Sequence, residues 1–199
     1  MKKIMFNDRY GLTKAVLEGR KTMTRRIIKP QPIEFLCVEK LPNRYMEIIQ
    51  EDDLALRIKS HYKVGEVVAV AQNYNSFYDD TYNPVLFPAG AGWDNKMFVK
   101  AELMPHQIRI TSVRAERLQD ISDEECLREG VGVSATDNLV GFPIAIPFNY
   151  YIGRDEKGYR YVTPREAFSV LIDKISGRGT WQSNPYVWVY EFELLSSKQ

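Results

Sequence analysis

The period of apolar positions changes several times along this chain, and each change marks an element. Lys3-Ile4-Met5-Phe6 reads as a first strand. Leu12, Ala15 and Val16 then fall on a helical stripe that ends at Gly19, a glycine C-cap. From Ile33 to Gln50 the text alternates. Phe35, Cys37 and Glu39 lie on one side of Pro42-Asn43, and Tyr45, Glu47 and Ile49 on the other, a hairpin pattern. Residues 51–60 carry no period and read as weakly helical or irregular. Tyr62-Lys63-Val64-Gly65-Glu66 is a turn, and Val67–Val70 is a β-branched strand after it. Lys96–Lys100 reads as a short strand. Gln107 to Leu118 alternates over a dozen positions and is the clearest strand in the chain.

Two helices announce themselves by their caps. Ser122 with Glu125 forms a capping box, and Gly130 closes that helix. Thr163, Pro164 and Glu166 supply an N-cap, a first-turn proline and a capping-box acid before a helix carrying Ala167, Phe168, Val170, Leu171, Ile172 and Ile175. Asn184-Pro185 starts a final strand, Tyr186 to Leu194, with Trp188, Tyr190 and Phe192 on one face. Helices do not alternate regularly with strands, so an α+β fold is expected rather than a doubly wound sheet. A small mixed or antiparallel β-barrel with flanking helices fits this order. We read residues 1–199 as a single domain with two loop-rich insertions, at about 73–106 and 131–162. The first holds Tyr74, Phe77, Tyr78, Tyr82, Phe87 and Trp93. Those rings either pin a long loop or stack bases, and pinning is the commoner use.

Composition narrows the function classes. A hydrophobic fraction of 44% and a charged fraction of 27% are ordinary for a globular domain. No apolar run reaches the ~20 residues of a membrane span, and the apolar start is too short for a secretory signal, so a cytoplasmic protein with no membrane partner is expected. Cys37 and Cys126 make no disulfide framework, and His61 and His106 have no metal-ligand spacing, so neither metal nor cofactor is expected. Either cysteine reads as a small buried hydrophobe. The net charge of +1 hides an asymmetry. Residues 1–40 hold ten Lys/Arg against four acids, while the remainder holds 17 against 22. Such a chain is not a general polyanion binder. It has one local basic patch suited to a nucleotide or a short RNA segment.

The patch centres on Gly19-Arg20-Lys21-Thr22-Met23-Thr24-Arg25-Arg26, four cations and two hydroxyls in eight residues. We read this stretch as a donor-rich turn facing an anionic ligand. It resembles the G-x-K-x-x-T-x-R signature of ASCH domains, relatives of the PUA barrel. The turn Tyr62–Glu66, the run Ile110–Gly130 and the closing Asn184–Phe192 are similar to further family segments. Together they are most like the longer members encoded by phages and gut bacteria. The resemblance implies a PUA-like barrel with a cleft and, for many members, RNA binding. For some small members it implies removal of an acetyl group from N-acetylated cytidine, with Lys21, Thr24 and Glu129 as the matching catalytic residues. In longer relatives an Arg-Glu pair often follows the core strand. Here Ala71-Gln72 stands there, so that carboxylate is missing.

Two functional classes follow. In the first, the chain binds RNA or a nucleotide through a basic cleft around Gly19–Arg26, with Arg20, Arg25 and Arg26 as ligand-binding residues. In the second, it is an amidohydrolase acting on a modified nucleoside. Thr24 would attack, Lys21 would take its proton, Glu129 would orient the lysine, and Arg26 would stabilise an oxyanion. One turn of helical backbone would bring Lys21 and Thr24 together. Each residue also has a plainer use: Lys21 on phosphate, Thr24 on turn amides, and Glu129 in an ion pair with Arg26. A vestigial cleft in an accessory protein is the third alternative.

Overall fold

The computed structural model describes residues 1–32, 37–43, 45–49, 57–78, 90–133, 150–153 and 160–195. Along them run β1 (Lys3–Ile4), α1 (Leu12–Leu17), β2 (Met23–Ile27), β3 (Cys37–Lys40), β4 (Met46–Ile49), β5 (Arg57–Lys59), β6 (Val67–Val70) and β7 (Gln107–Arg117). There follow α2 (Asp123–Arg128), β8 (Gly132–Val133), β9 (Tyr150–Tyr151), β10 (Arg160–Tyr161), α3 (Pro164–Ser176), α4 (Thr180–Ser183) and β11 (Tyr186–Leu194). The fold is α+β.

The main sheet has the order β1-β6-β7-β11-β2. β1 runs parallel to β6, and every other neighbour is antiparallel. β11 lies between β7 and β2, and its Val187, Trp188, Val189, Tyr190 and Phe192 are all buried. Its inner stretch is therefore buried on both faces, rather than on the Trp188–Phe192 face alone. Two three-stranded sheets, β3-β4-β5 and β10-β9-β8, flank the main one. β1 and β2 end the five-strand ladder without pairing to each other. The Arg26 guanidinium on β2 nevertheless donates to the Met5 carbonyl just past β1, at 2.7 Å. The sheet curls until its two edges lie one side chain apart.

Four local expectations are corrected. The donor-rich stretch is a turn only as far as Thr22, because Met23–Ile27 pairs residue for residue with β11. Arg57–Lys59 extends the hairpin as a third strand instead of an irregular segment; residues 51–56 lie outside the described ones. Lys96–Phe98 is a 3-10 turn capped by the Asn95 side chain, not a strand. The first strand is shorter than expected and ends at Ile4.

The capping signals form as read, except that the Glu166 carboxylate accepts from the Val162 N–H and not from Thr163, so α3 has its N-cap and proline without the capping box. Ser122 and Glu125 exchange the two bonds of a capping box. The Thr163 hydroxyl accepts from the Glu166 N–H, with Pro164 in the first turn. In the first insertion the rings pack on each other: Tyr74 on Trp93 at 5.7 Å and Tyr78 on Trp93 at 4.9 Å, with Tyr74 fully buried. They pin the loop. Tyr82 and Phe87 lie outside the described residues, as does most of the second insertion.

Candidate active site

Three local features bring Lys21 to the end of α2. α1 ends in a turn through Gly19, at φ +74°, and the Lys21 N–H bonds the Ala15 carbonyl. Next, the Thr22 N–H donates to the Arg128 carbonyl, while the Arg128 guanidinium donates to the Thr22 hydroxyl at 3.1 Å. This sews the turn to α2. Finally, Gly130, at φ +104°, leaves room that a side chain would take: a Cβ there would lie 2.9 Å from Leu12 Cδ2 and 3.5 Å from Lys21 Cδ.

Lys21 is buried, and all its donors are spent. Nζ donates to the Met23 carbonyl at 2.7 Å, to the Glu129 carbonyl at 2.6 Å and to Glu129 Oε2 at 2.6 Å. The first two are backbone acceptors, and the Glu129 one is a free carbonyl at a helix end. Burial pushes the Lys21 ammonium below the ordinary lysine value of 10.5. The Glu129 carboxylate opposes that shift, and Arg26 and Arg25 add to it.

Thr24 faces a cavity of about 420 Å³ that Lys21, Arg26 and Glu129 also line. The far wall is the apolar face of α3, with Phe168, Leu171, Ile172 and Ile175. Phe6 and Asn7 close one side, and Lys29 stands at the exposed rim. Thr24 is 5% exposed, and its hydroxyl has no hydrogen-bond partner among the described residues. A buried hydroxyl without a protein partner costs about 1–3 kcal/mol unless something in the cavity meets it. The Phe6 ring lies 5.7 Å from Lys21 Nζ and 5.8 Å from Arg26 Cζ, so two cations flank one aromatic.

The four arginine and lysine residues of the motif therefore divide. Lys21 is a buried partner of Glu129. Arg20 lies at the surface on Glu18 Oε2, with bonds of 2.7 and 2.9 Å, and does not line the cavity. Arg26 is exposed and reaches the cavity with no carboxylate partner among the described residues. Arg25 is buried in carboxylates: Glu116 Oε1 at 2.6 Å, Glu125 Oε2 at 2.7 Å and Glu129 Oε1 at 3.3 Å. The partners of Glu129 are thus Lys21 and Arg25, not Arg26. Glu116 and Glu125 are members of the site's surroundings that the sequence reading missed. Strand alternation was the available signal: on β2, Met23 and Arg25 share one face, and Thr24 and Arg26 the other.

Burial pushes the Cys126 thiol up to about 12, so it is not a nucleophile at neutral pH. Among the described residues no group of His, Cys, Asp and Glu is placed to hold a metal ion, and no helix is long and apolar enough to cross a membrane. Compared with protein-family models, curated proteins and solved structures, the chain has no match in any of the three.

Proposed function

We propose that this chain is an amidohydrolase that removes an acyl group from the exocyclic amine of a cytidine-type nucleoside, on an ASCH-like scaffold. The observation that carries the reading is one cavity holding a buried lysine, its carboxylate partner and a buried threonine hydroxyl with no partner among the described residues. The curl that brings Arg26 to Met5 supports a PUA-like barrel in which β1 and β2 approach without pairing. The substrate class comes from the resemblance of Gly19–Arg26. The cavity volume is that of a small-molecule site.

In this reading Thr24 Oγ1 attacks the amide carbonyl carbon. The neutral Lys21 amine takes the hydroxyl proton as the C–O bond forms. The carbonyl electrons move onto oxygen, where Arg26 supplies positive charge. The C–N bond then breaks, and Lys21 returns its proton to the departing amine. A water molecule attacks the threonyl ester, again giving its proton to Lys21. Collapse releases the carboxylic acid, and the proton goes back to Thr24. Glu129 stays a carboxylate and holds Nζ in place throughout.

The test is acetate release from N-acetylcytidine. Thr24→Ala should stay folded, judged by its thermal midpoint, and lose turnover by 10³-fold or more, on the order of an absent nucleophile. Turnover that survives this change, or a folded wild type that releases no acetate from any acylated nucleoside offered, would overturn the proposal.

A second reading, binding of a nucleotide or RNA without chemistry, rests on Arg26 and Lys29. Both are exposed cavity-lining cations with no carboxylate partner among the described residues. It predicts affinity that falls steeply with salt and survives Thr24→Ala.

A further inference from the structure

We propose that Arg25, which stands at a variable position of the signature, is a positioning residue that pairs with Glu129 so that Lys21 can give up its proton. The turnover arm of this proposal rests on the amidohydrolase reading; the titration arm does not.

A neutral lysine leaves its partner's charge uncompensated. Lys21 must be neutral to accept the threonine proton. Its partner Glu129 is itself buried, and a buried carboxylate with no cation is costly. A lone Lys-Glu pair would therefore hold on to its proton. Here Glu129 has a second cation. Its Oε2 faces Lys21 at 2.6 Å, and its Oε1 faces Arg25 Nη1 at 3.3 Å. Arginine keeps its charge at every working pH, so this pairing persists when Lys21 loses its own charge.

The rest of Arg25 is arranged to make that contact dependable. Its side chain is fully buried, and Nε and Nη2 grip Glu116 and Glu125. Arg114 holds the other oxygens of both those carboxylates from the outside, and also reaches Glu191. The guanidinium is thus fixed at one end, and Nη1 is left pointing at Glu129. The contact also fixes the carboxylate plane, so that one oxygen faces each cation.

The charged groups facing Lys21 are Glu129 from the end of α2, and Arg25 and Arg26 from β2. Lys29 shares the cavity at its rim, and α1 and α3 bring Leu12, Phe168 and Leu171.

The test is an NMR titration of Lys21, with lysine labelled at Cε and Nζ and the signal assigned with Lys21→Arg. Removing the guanidinium in Arg25→Gln should move the Lys21 midpoint up by about one pH unit or more. Arg25→Lys keeps a point charge but cannot hold three carboxylates, so it should move the midpoint part of the way. If the glutamine variant does not fold, the lysine variant decides. In turnover, the acid limb of the kcat/KM profile should move up by the same amount. A midpoint and a profile unchanged from wild type in a folded variant would make Arg25 a merely structural brace and overturn the proposal. Wild type without turnover would instead sink the amidohydrolase reading, and the titration would still judge Arg25.

Discussion

Gly130 shows how single atoms decide the site. It joins α2 to β8 at φ +104°, and its missing Cβ is the space between Leu12 and Lys21. Gly130→Ala should cost about 1–3 kcal/mol in a denaturant titration, because a side chain must adopt strained backbone and press on Leu12. It should also lower turnover, since Lys21 shifts against Glu129. Gly177 has φ +112° but open space around it. Gly177→Ala should lose stability and keep turnover per folded molecule, and equal loss of turnover in both would count against the role given to Gly130. At this scale the sequence was partly legible. The resemblance singled out Lys21, Thr24 and Glu129, and the three line one cavity. Arg25 was read as a ligand-binding cation, and its ion pairs were not foreseen, because an arginine is seldom fully buried and the three carboxylates that neutralise it come from distant strand and helix positions.

At the scale of elements, local signals were read, the β3–β4 hairpin among them, and long-range pairing was not. The caps of α2 and α3 are written within four residues, so they were found at once. β2 was missed because Thr24, Arg25 and Arg26 carry no apolar alternation; its strand form comes from β11. β5 has only Ile58 between two cations, too little to show a period. α3 illustrates how one helix serves two purposes. Leu171 is 2% exposed in the core, so Leu171→Ala should cost about 2–5 kcal/mol. Ile175 lines the cavity from a 37% exposed position. Ile175→Ala should leave the thermal midpoint nearly unchanged and weaken substrate binding, read as a raised KM with similar kcat. A kcat loss with KM unchanged would place the substrate elsewhere.

Over the whole molecule, charge ties the sheet to α2. Glu125 and Glu191 both sit below the ordinary carboxylate value of 4.5. Burial alone would raise them. The Ser122 N–H, Arg25 and Arg114 overcome it for Glu125, and Arg128 and Arg114 for Glu191. A carboxylate depressed in the folded state adds stability above its unfolded value and loses it as pH falls through the folded one. The thermal midpoint should therefore hold down to about pH 5 and fall below about pH 4.5, and Glu191→Gln should flatten part of that fall. A wild-type midpoint as high at about pH 3 as at neutral pH would show that these pairs contribute nothing.

The place of β11 has a consequence for biosynthesis. Among the described residues β2, which carries Thr24, has Tyr186–Leu194 as its one sheet neighbour, far downstream. While the ribosome is still making the intervening chain, β2 has an unsatisfied edge on each side, and nothing holds Thr24 and Arg26 in the cavity wall. A nascent chain stalled before Tyr186 would thus hold every residue of the Gly19–Arg26 motif and still lack a working pocket.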